Sequence, residues 1–206
     1  MKVLIACEYS GIVRDAFLAL GHDATSCDML PTDSPGPHYQ GDVFDILYNG
    51  WDLLIGHPPC TYLSYAGTRH WNSPGRCEQR LIALDFFRRL WEAPIHRICL
   101  ENPKGCASPT IAKYSQEIQP YYFGDNDLKT TWLWLKNLPL LEHHKSDTLF
   151  DTKTHTAKPL PVYTDLSGKD RYFTEAMTGG KDRQKNRAKS FKGIAEAMAA
   201  QWGILV

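Results

Sequence analysis

The sequence has no Cys-x-x-Cys pair, and its six cysteines, at 7, 27, 60, 77, 99 and 106, have no histidines at zinc-finger spacing. Structural zinc is therefore not expected, nor any other metal, and a disulfide framework does not suit so large a cytosolic chain. No apolar run approaches the roughly 20 residues that a membrane helix needs. The opening Met1 to Glu8 is too short, and too soon acidic, for a signal peptide. The expectation is a cytoplasmic protein with no membrane partner. Net charge is also lacking, with 23 basic against 23 acidic residues, so the chain as a whole carries no signature of a nucleic-acid partner. Finally, there is no glycine-rich dinucleotide loop, since only Gly11 stands in the first turn.

What is present is an alternation of strands and helices. A length of 206 residues fits one domain, or one domain with an insert. Residues 2 to 7 form a continuous apolar run typical of a strand buried on both faces. Glu8-Tyr9-Ser10-Gly11 turns, and Ile12, Val13, Ala16, Phe17 and Leu20 then recur at helical spacing up to Gly21. A second strand, Asp23 to Cys27, ends at Asp28, where an acidic residue about 20 residues after the first turn can hold ribose hydroxyls. Pro31 to Tyr39 reads as a proline-rich loop and Gly41 to Asp45 as a turn and short helix, in which Asp42 is either a helix cap or an acceptor for an adenine amino group.

The central strand, Trp51 to Ile55, runs into Gly56-His57-Pro58-Pro59-Cys60, and neither proline can donate to a sheet ladder. Cys60 is thus placed by a stiff turn just beyond a strand tip, the edge where open α/β sheets bind ligands, and there it is a candidate nucleophile. The plain alternative is a small buried thiol after a loop. Thr61 to Asn72 reads as a flexible aromatic loop that includes Arg69. Ser73-Pro74 opens a helix with Leu81, Leu84, Phe87, Leu90 and Trp91 on its apolar face. The strand His96 to Leu100 delivers a second polar cluster, Glu101-Asn102-Pro103. These features predict a mostly parallel α/β sheet with helices on both faces, its strand tips at 7, 27, 60 and 101 along one edge. Ile118 to Phe123 and Thr131 to Leu135 suggest a late antiparallel hairpin, and Ile194 to Trp202 a closing helix. The stretch from Asp151 to Gly193 holds ten basic residues (Lys153, Lys158, Lys169, Arg171, Lys181, Arg183, Lys185, Arg187, Lys189, Lys192) against five acidic ones (Asp151, Asp165, Asp170, Glu175, Asp182). It is either a solvated face or a phosphate-binding surface.

Pro58-Pro59-Cys60 and Glu101-Asn102-Pro103, about forty residues apart on two strand tips, together resemble the central motifs of the DNA cytosine-C5 methyltransferases, Pro-Pro-Cys and Glu-Asn-Val. The resemblance covers most of the chain. Cys7 to Phe17 takes the place of the family's cofactor loop, Gly41-Asp42-Val43 is similar to its adenine-binding motif, and Phe191 to Gln201 resembles its closing helix.

The resemblance implies a Rossmann-like methyltransferase fold that binds S-adenosylmethionine through Glu8, Tyr9, Ser10, Gly11, Asp28, Asp42 and Pro58. It implies a nucleophile, Cys60, that adds to cytosine C6. Glu101 would hydrogen-bond N3 and the exocyclic amine, Asn102 would position both, and Lys129, where the family carries an arginine motif, would approach O2 or a phosphate. Ser64 and Arg69 are implied at the substrate. The implied organisation is a catalytic core over 1–138, a reduced recognition insert over 139–189 and a returning helix over 190–206. So small an insert points to relaxed recognition, or to a second subunit in a homodimer or accessory role. The readings left open are methylation of cytosine in DNA, the same chemistry on a free cytosine nucleotide, and a catalytically silent nucleic-acid-binding homologue.

Overall fold

Val3, Leu4, Ile5 and Ala6 of the first strand (β1, Lys2–Ala6) have no solvent exposure at all. A strand apolar on both sides belongs in the middle of a covered sheet. In the computed structural model, which describes residues 1–143, 157–177 and 188–205, β1 has that place. It pairs in parallel with β2 (Asp23–Asp28) and with β4 (Leu53–Gly56), while β2 pairs with β3 (His38–Gln40) and β4 with β5 (Arg97–Asn102). With β6 (Gln116–Ile118) and β7 (Thr131–Lys136) the sheet has the order β3-β2-β1-β4-β5-β7-β6, and β7 runs antiparallel to both its neighbours. This is a Rossmann-like, mostly parallel α/β sheet with a late antiparallel pair, as the sequence predicts. A small separate hairpin joins β8 (Tyr163–Thr164) to β9 (Asp170–Arg171).

The helices are α1 (Ile12–Ala19), α2 (Arg76–Trp91), the short turns α3 (Ala107–Thr110) and α4 (Phe173–Ala176), and α5 (Lys192–Trp202). Strand alternation divides the core in two. Val3, Ile5, Leu53, Ile55 and Cys99 pack on Val13 and Phe17 of α1 and on Ile194, Met198 and Trp202 of α5. Leu4, Ala6, Leu54, Ile98 and Leu100 pack on Leu84, Phe87 and Leu90 of α2. Each fully buried Val, Leu, Ile, Phe or Met side chain among these contributes about 1.5–3 kcal/mol. Residues 139–142 are pinned to α5, because the Trp202 indole donates to the Pro139 carbonyl at 3.1 Å and Gln201 exchanges two hydrogen bonds with the Glu142 backbone.

Several elements differ from the sequence expectation. His38–Gln40, placed in a loop, forms an edge strand. The expected strand over 118–123 ends at Ile118, because Pro120 opens a 3-10 turn over Pro120–Phe123. The central helix begins at Arg76 rather than Ser73, after Gly75 in the left-handed region at φ 73°. Leu81 of that helix is 62% exposed, so its apolar face starts one turn later. No helix among the described residues is long and apolar enough to cross a membrane.

Candidate active site at the carboxyl edge of the sheet

Because β1, β2, β4 and β5 are parallel and in register, with Ala6 opposite both Cys27 and Gly56, and Gly56 opposite Leu100, their carboxyl ends lie along one edge. Continuing the β4–β5 register one residue sets His57 opposite Glu101. Strand alternation then puts both on the face of Ile55 and Cys99. Their side chains do meet there, His57 Nδ1 lying 2.8 Å from Glu101 Oε2. Burial works against charge on both groups. The bond and charge of Glu101, helped by Glu8, nevertheless raise His57 above the ordinary histidine range, although Lys129 opposes this. Burial would also raise Glu101, but His57, Lys129 and the Thr131 hydroxyl together hold it below the usual carboxylate range. Both shifts favour the imidazolium–carboxylate form of the pair. The sequence signal for the pairing of His57 with Glu101 is its position two residues after Ile55, as Glu101 is two after Cys99.

Asn102, on the opposite face of β5, is 2% exposed and donates from Nδ2 to the Pro58 carbonyl at 2.6 Å. This fixes the double-proline turn from below. The Cys60 carbonyl accepts from the backbone N–H of Leu63 and Ser64, at 3.1 and 2.9 Å, which winds the chain into a turn directly after the thiol. Cys60 and Cys7 are half-buried and Cys27 and Cys99 buried; burial pushes the thiols of Cys7, Cys27 and Cys99 upward, that of Cys27 to about 12.

The segment after Cys60, expected as a flexible loop, is built in. Tyr65–His70 forms a 3-10 helix capped by the Ser64 hydroxyl, which accepts from Ala66 N at 3.2 Å. Leu63 is wholly buried, and the segment docks on residues 104–106 through Tyr65 N to Lys104 O and Cys106 N to Leu63 O, both at 2.9 Å. A side chain at Gly105 would sit 2.4 Å from the Leu63 carbonyl, so that approach requires glycine. Arg76 stacks on Tyr62 and Arg80 on Trp71, at 4.5 and 4.1 Å from the ring centres. Arg69 is exposed, with its Nε on His70 Nε2 at 2.9 Å. Lys129 lies over the Phe191 ring at 5.5 Å and its charge acts on His57 and Glu101, so it belongs to the cluster.

The residues expected at a cofactor form two groups. Asp28 and Asp42 line one cleft of about 230 Å³ with Cys7, Cys27, Val43, Pro59 and Phe86. Pro59, rather than Pro58, lines that cleft. Asp42 also caps the 3-10 turn Val43–Asp45, accepting from Phe44 N at 3.0 Å, so both sequence readings of Asp42 are compatible with its position. Glu8, 3% exposed, instead fills the amino end of α1: Oε1 accepts from Val13 N at 2.7 Å and from the Ser10 hydroxyl at 3.1 Å, and Oε2 from Arg14 N at 3.3 Å. Gly11, at φ 77°, makes the turn into that helix, and Tyr9 of the same turn is buried. A residue missed in the sequence is Arg14, which is wholly buried and holds the 31–37 loop beside this cleft.

In the basic segment, Lys153, Lys181, Arg183, Lys185 and Arg187 lie outside the described residues. Of the rest, Arg171 binds Asp165 through two nitrogens at 2.8 and 2.7 Å, Lys189 pairs with Asp33 at 2.9 Å and Lys192 with Glu196 at 3.5 Å.

Neither a protein-family model nor a curated protein matches this chain. Among solved structures, it is similar to a DNA modification methyltransferase encoded within an E. coli prophage, at 13% identity and a TM-score of 0.43 over 66% of this chain and 46% of that one. It is similar to the methyltransferase EhMeth of Entamoeba histolytica, at 14% identity and 0.46 over 77% and 57%, and to the S. pombe methyltransferase Dnmt2, at 17% and 0.44 over 68% and 52%. The chain thus spans about half the length of these proteins. Likeness this distant concerns general architecture, so function must be read from the side chains.

Proposed function

We propose that the protein transfers a methyl group from S-adenosylmethionine to C5 of cytosine in DNA. The observation that carries this reading is the single edge that holds the Cys60 turn, clamped by Asn102 through Pro58, next to Glu101 on the same strand. Cytosine C5 is a poor nucleophile, and the chemistry requires a thiolate and an acid on one base. The Cys60 sulfur pair forms a bond to C6, the C5–C6 π pair shifts toward C5 and the ring nitrogen, and N3 receives a proton through Glu101. When bound, S-adenosylmethionine supplies the electrophilic methyl. Loss of the C5 proton then restores the double bond and expels the thiolate.

The residues present fit that cofactor. The Asp28 carboxylate suits a ribose diol, and Val43 and Phe86 offer apolar walls for a base. With Glu8 on the amino end of α1, the place where a dinucleotide's pyrophosphate would sit is already taken by a carboxylate, which favours a nucleoside cofactor without phosphates. Replacing Asp28 and Asp42 together by alanine is expected to weaken S-adenosylmethionine binding about 10–100-fold by calorimetry, as two lost hydrogen bonds imply. Unchanged affinity would place the cofactor elsewhere.

The function is tested by offering labelled S-adenosylmethionine with duplex DNA, single-stranded DNA and dCMP in parallel. Label on C5 of cytosine in DNA is expected. Label on dCMP alone would make the free nucleotide the substrate, and label on none would refute methyl transfer.

A further inference from the structure

The bond to His57 favours the carboxylate form of Glu101, yet the proposed addition of Cys60 needs a proton delivered to N3. The proton lies one bond away. His57 Nδ1 contacts Glu101 Oε2 at 2.8 Å, and its other nitrogen, Nε2, is buried with no hydrogen-bond partner among the described residues. The groups acting on the imidazole come from three further elements: Glu101 on β5, Glu8 in the turn after β1, and Lys129 in the segment before β7. The two carboxylates favour the proton staying on the pair, and the lysine keeps the pair from taking up a second one.

We propose that His57 and Glu101 share one dissociable proton, stored on His57 in the free enzyme and passed through Glu101 to N3 of the base as Cys60 adds to C6. This rests on the proposed function. The step balances: the sulfur pair makes the S–C6 bond, the displaced π pair takes the proton at N3, and the pair is left as neutral imidazole and carboxylate. When the adduct collapses, N3 returns the proton to the pair. His57 is thus a positioning residue that acts through Glu101, and it sets the pH range in which that acid can work.

The test compares wild type with His57→Asn, whose side-chain amide can still donate to Glu101 but holds no exchangeable proton of suitable pKa. In wild type, kcat should fall only as pH rises past the raised pKa of His57. In His57→Asn the same limb should move at least about 2 pH units lower, toward the free carboxyl range near 4.3. The expected loss is about 10²-fold in kcat at pH 7.5, recovered on acidification, with KM within about twofold. Independently of activity, the His57 ring proton followed by NMR should titrate above 6.5 in wild type and drop in Glu101→Gln. A His57 that titrates at or below 6.5 in wild type overturns the shared proton. An active His57→Asn with the wild-type pH limb overturns it too, leaving methyl transfer standing. Wild type that labels no acceptor overturns the proposed function and this step with it.

Discussion

Cys60→Ala is expected to lower methyl transfer on the order of 10⁴-fold or more, while S-adenosylmethionine binding and the unfolding midpoint stay close to wild type. Size and place both argue for this. Cys60 is half-buried, and the Cys60 turn is held through backbone carbonyls, with Pro58 O accepting from Asn102 and Cys60 O from Leu63 and Ser64. Removing the sulfur therefore leaves the local backbone bonds in place. The expected loss lies in chemistry, because without a thiolate at C6 nothing makes C5 nucleophilic. A duplex carrying 5-fluorocytosine provides a second readout. Fluorine cannot leave C5 as a cation, so wild type should accumulate a denaturation-resistant adduct with that DNA and Cys60→Ala none. Asn102→Ala should give a different pattern, with kcat lowered about 10²-fold and slow residual adduct formation, since the thiol remains but its turn loses its clamp. Methyl transfer by Cys60→Ala within tenfold of wild type would rule out the covalent route.

The parts of this architecture that were legible in the sequence follow from patterns with a single physical reading. Runs such as Val3 to Ala6 and Leu53 to Ile55 are apolar on both faces, which only a covered parallel sheet accommodates, and the double proline fixes the end of the central strand. Asp28 and Asp42, which the resemblance assigns to one cofactor, do line one cleft, Asp28 at the end of β2 and Asp42 just after β3. What stayed hidden depends on tertiary pairing. His38–Gln40 becomes a strand only because β2 offers it an edge, and its own residues give no periodic signal. The segment after Cys60 has the glycine and polar content of a mobile loop, but Leu63 anchors it and the stacked Arg76 and Arg80 hold it down. Glu8 was read as a ligand of the cofactor, and its carboxylate is spent on the α1 amino end; nothing in a linear sequence distinguishes those uses. Arg14 sits where the helical period calls for an exposed residue or a flank of the apolar stripe, and the loop that satisfies it lies twenty residues further on.

That arginine carries the largest stability effect we expect. Its Nε contacts Asp15 Oδ1 at 2.8 Å, Nη1 donates to the hydroxyls of Ser26 and Thr32 at 3.1 and 3.2 Å, and Nη2 to the carbonyls of Ser34 and Pro35 at 3.0 and 3.3 Å. One side chain thus ties α1 to β2 and to the loop that leads into β3. The loop is also tied by the Ser34 hydroxyl to Asp15 and by Asp33 N to the Tyr9 carbonyl, both at 2.8 Å, but the guanidinium sits at its centre, and Gly36 is packed so closely that a Cβ there would lie 2.8 Å from the guanidinium carbon. Arg14→Met keeps most of the buried stem but removes five hydrogen bonds at once, the Ser34 carbonyl keeping the Thr32 hydroxyl at 2.9 Å, at a cost of about 3–4 kcal/mol. For a chain of this size that corresponds to a fall of roughly 10 °C in the thermal midpoint. Arg14→Lys, which keeps the charge but not the planar fork, should lie between the two, because an ammonium cannot reach both the hydroxyls and the carbonyls. The loss should also reach function: Asp33, in the same loop, is bonded to the Tyr9 carbonyl and to Lys189, and Asp28 stands at its root, so nucleoside binding should weaken along with stability. Limited proteolysis of Arg14→Met should open the chain within residues 31–37 first. A midpoint within about 2 °C of wild type would mean that the loop closes on its own proline-rich backbone, and the guanidinium would then be a passenger in the fold.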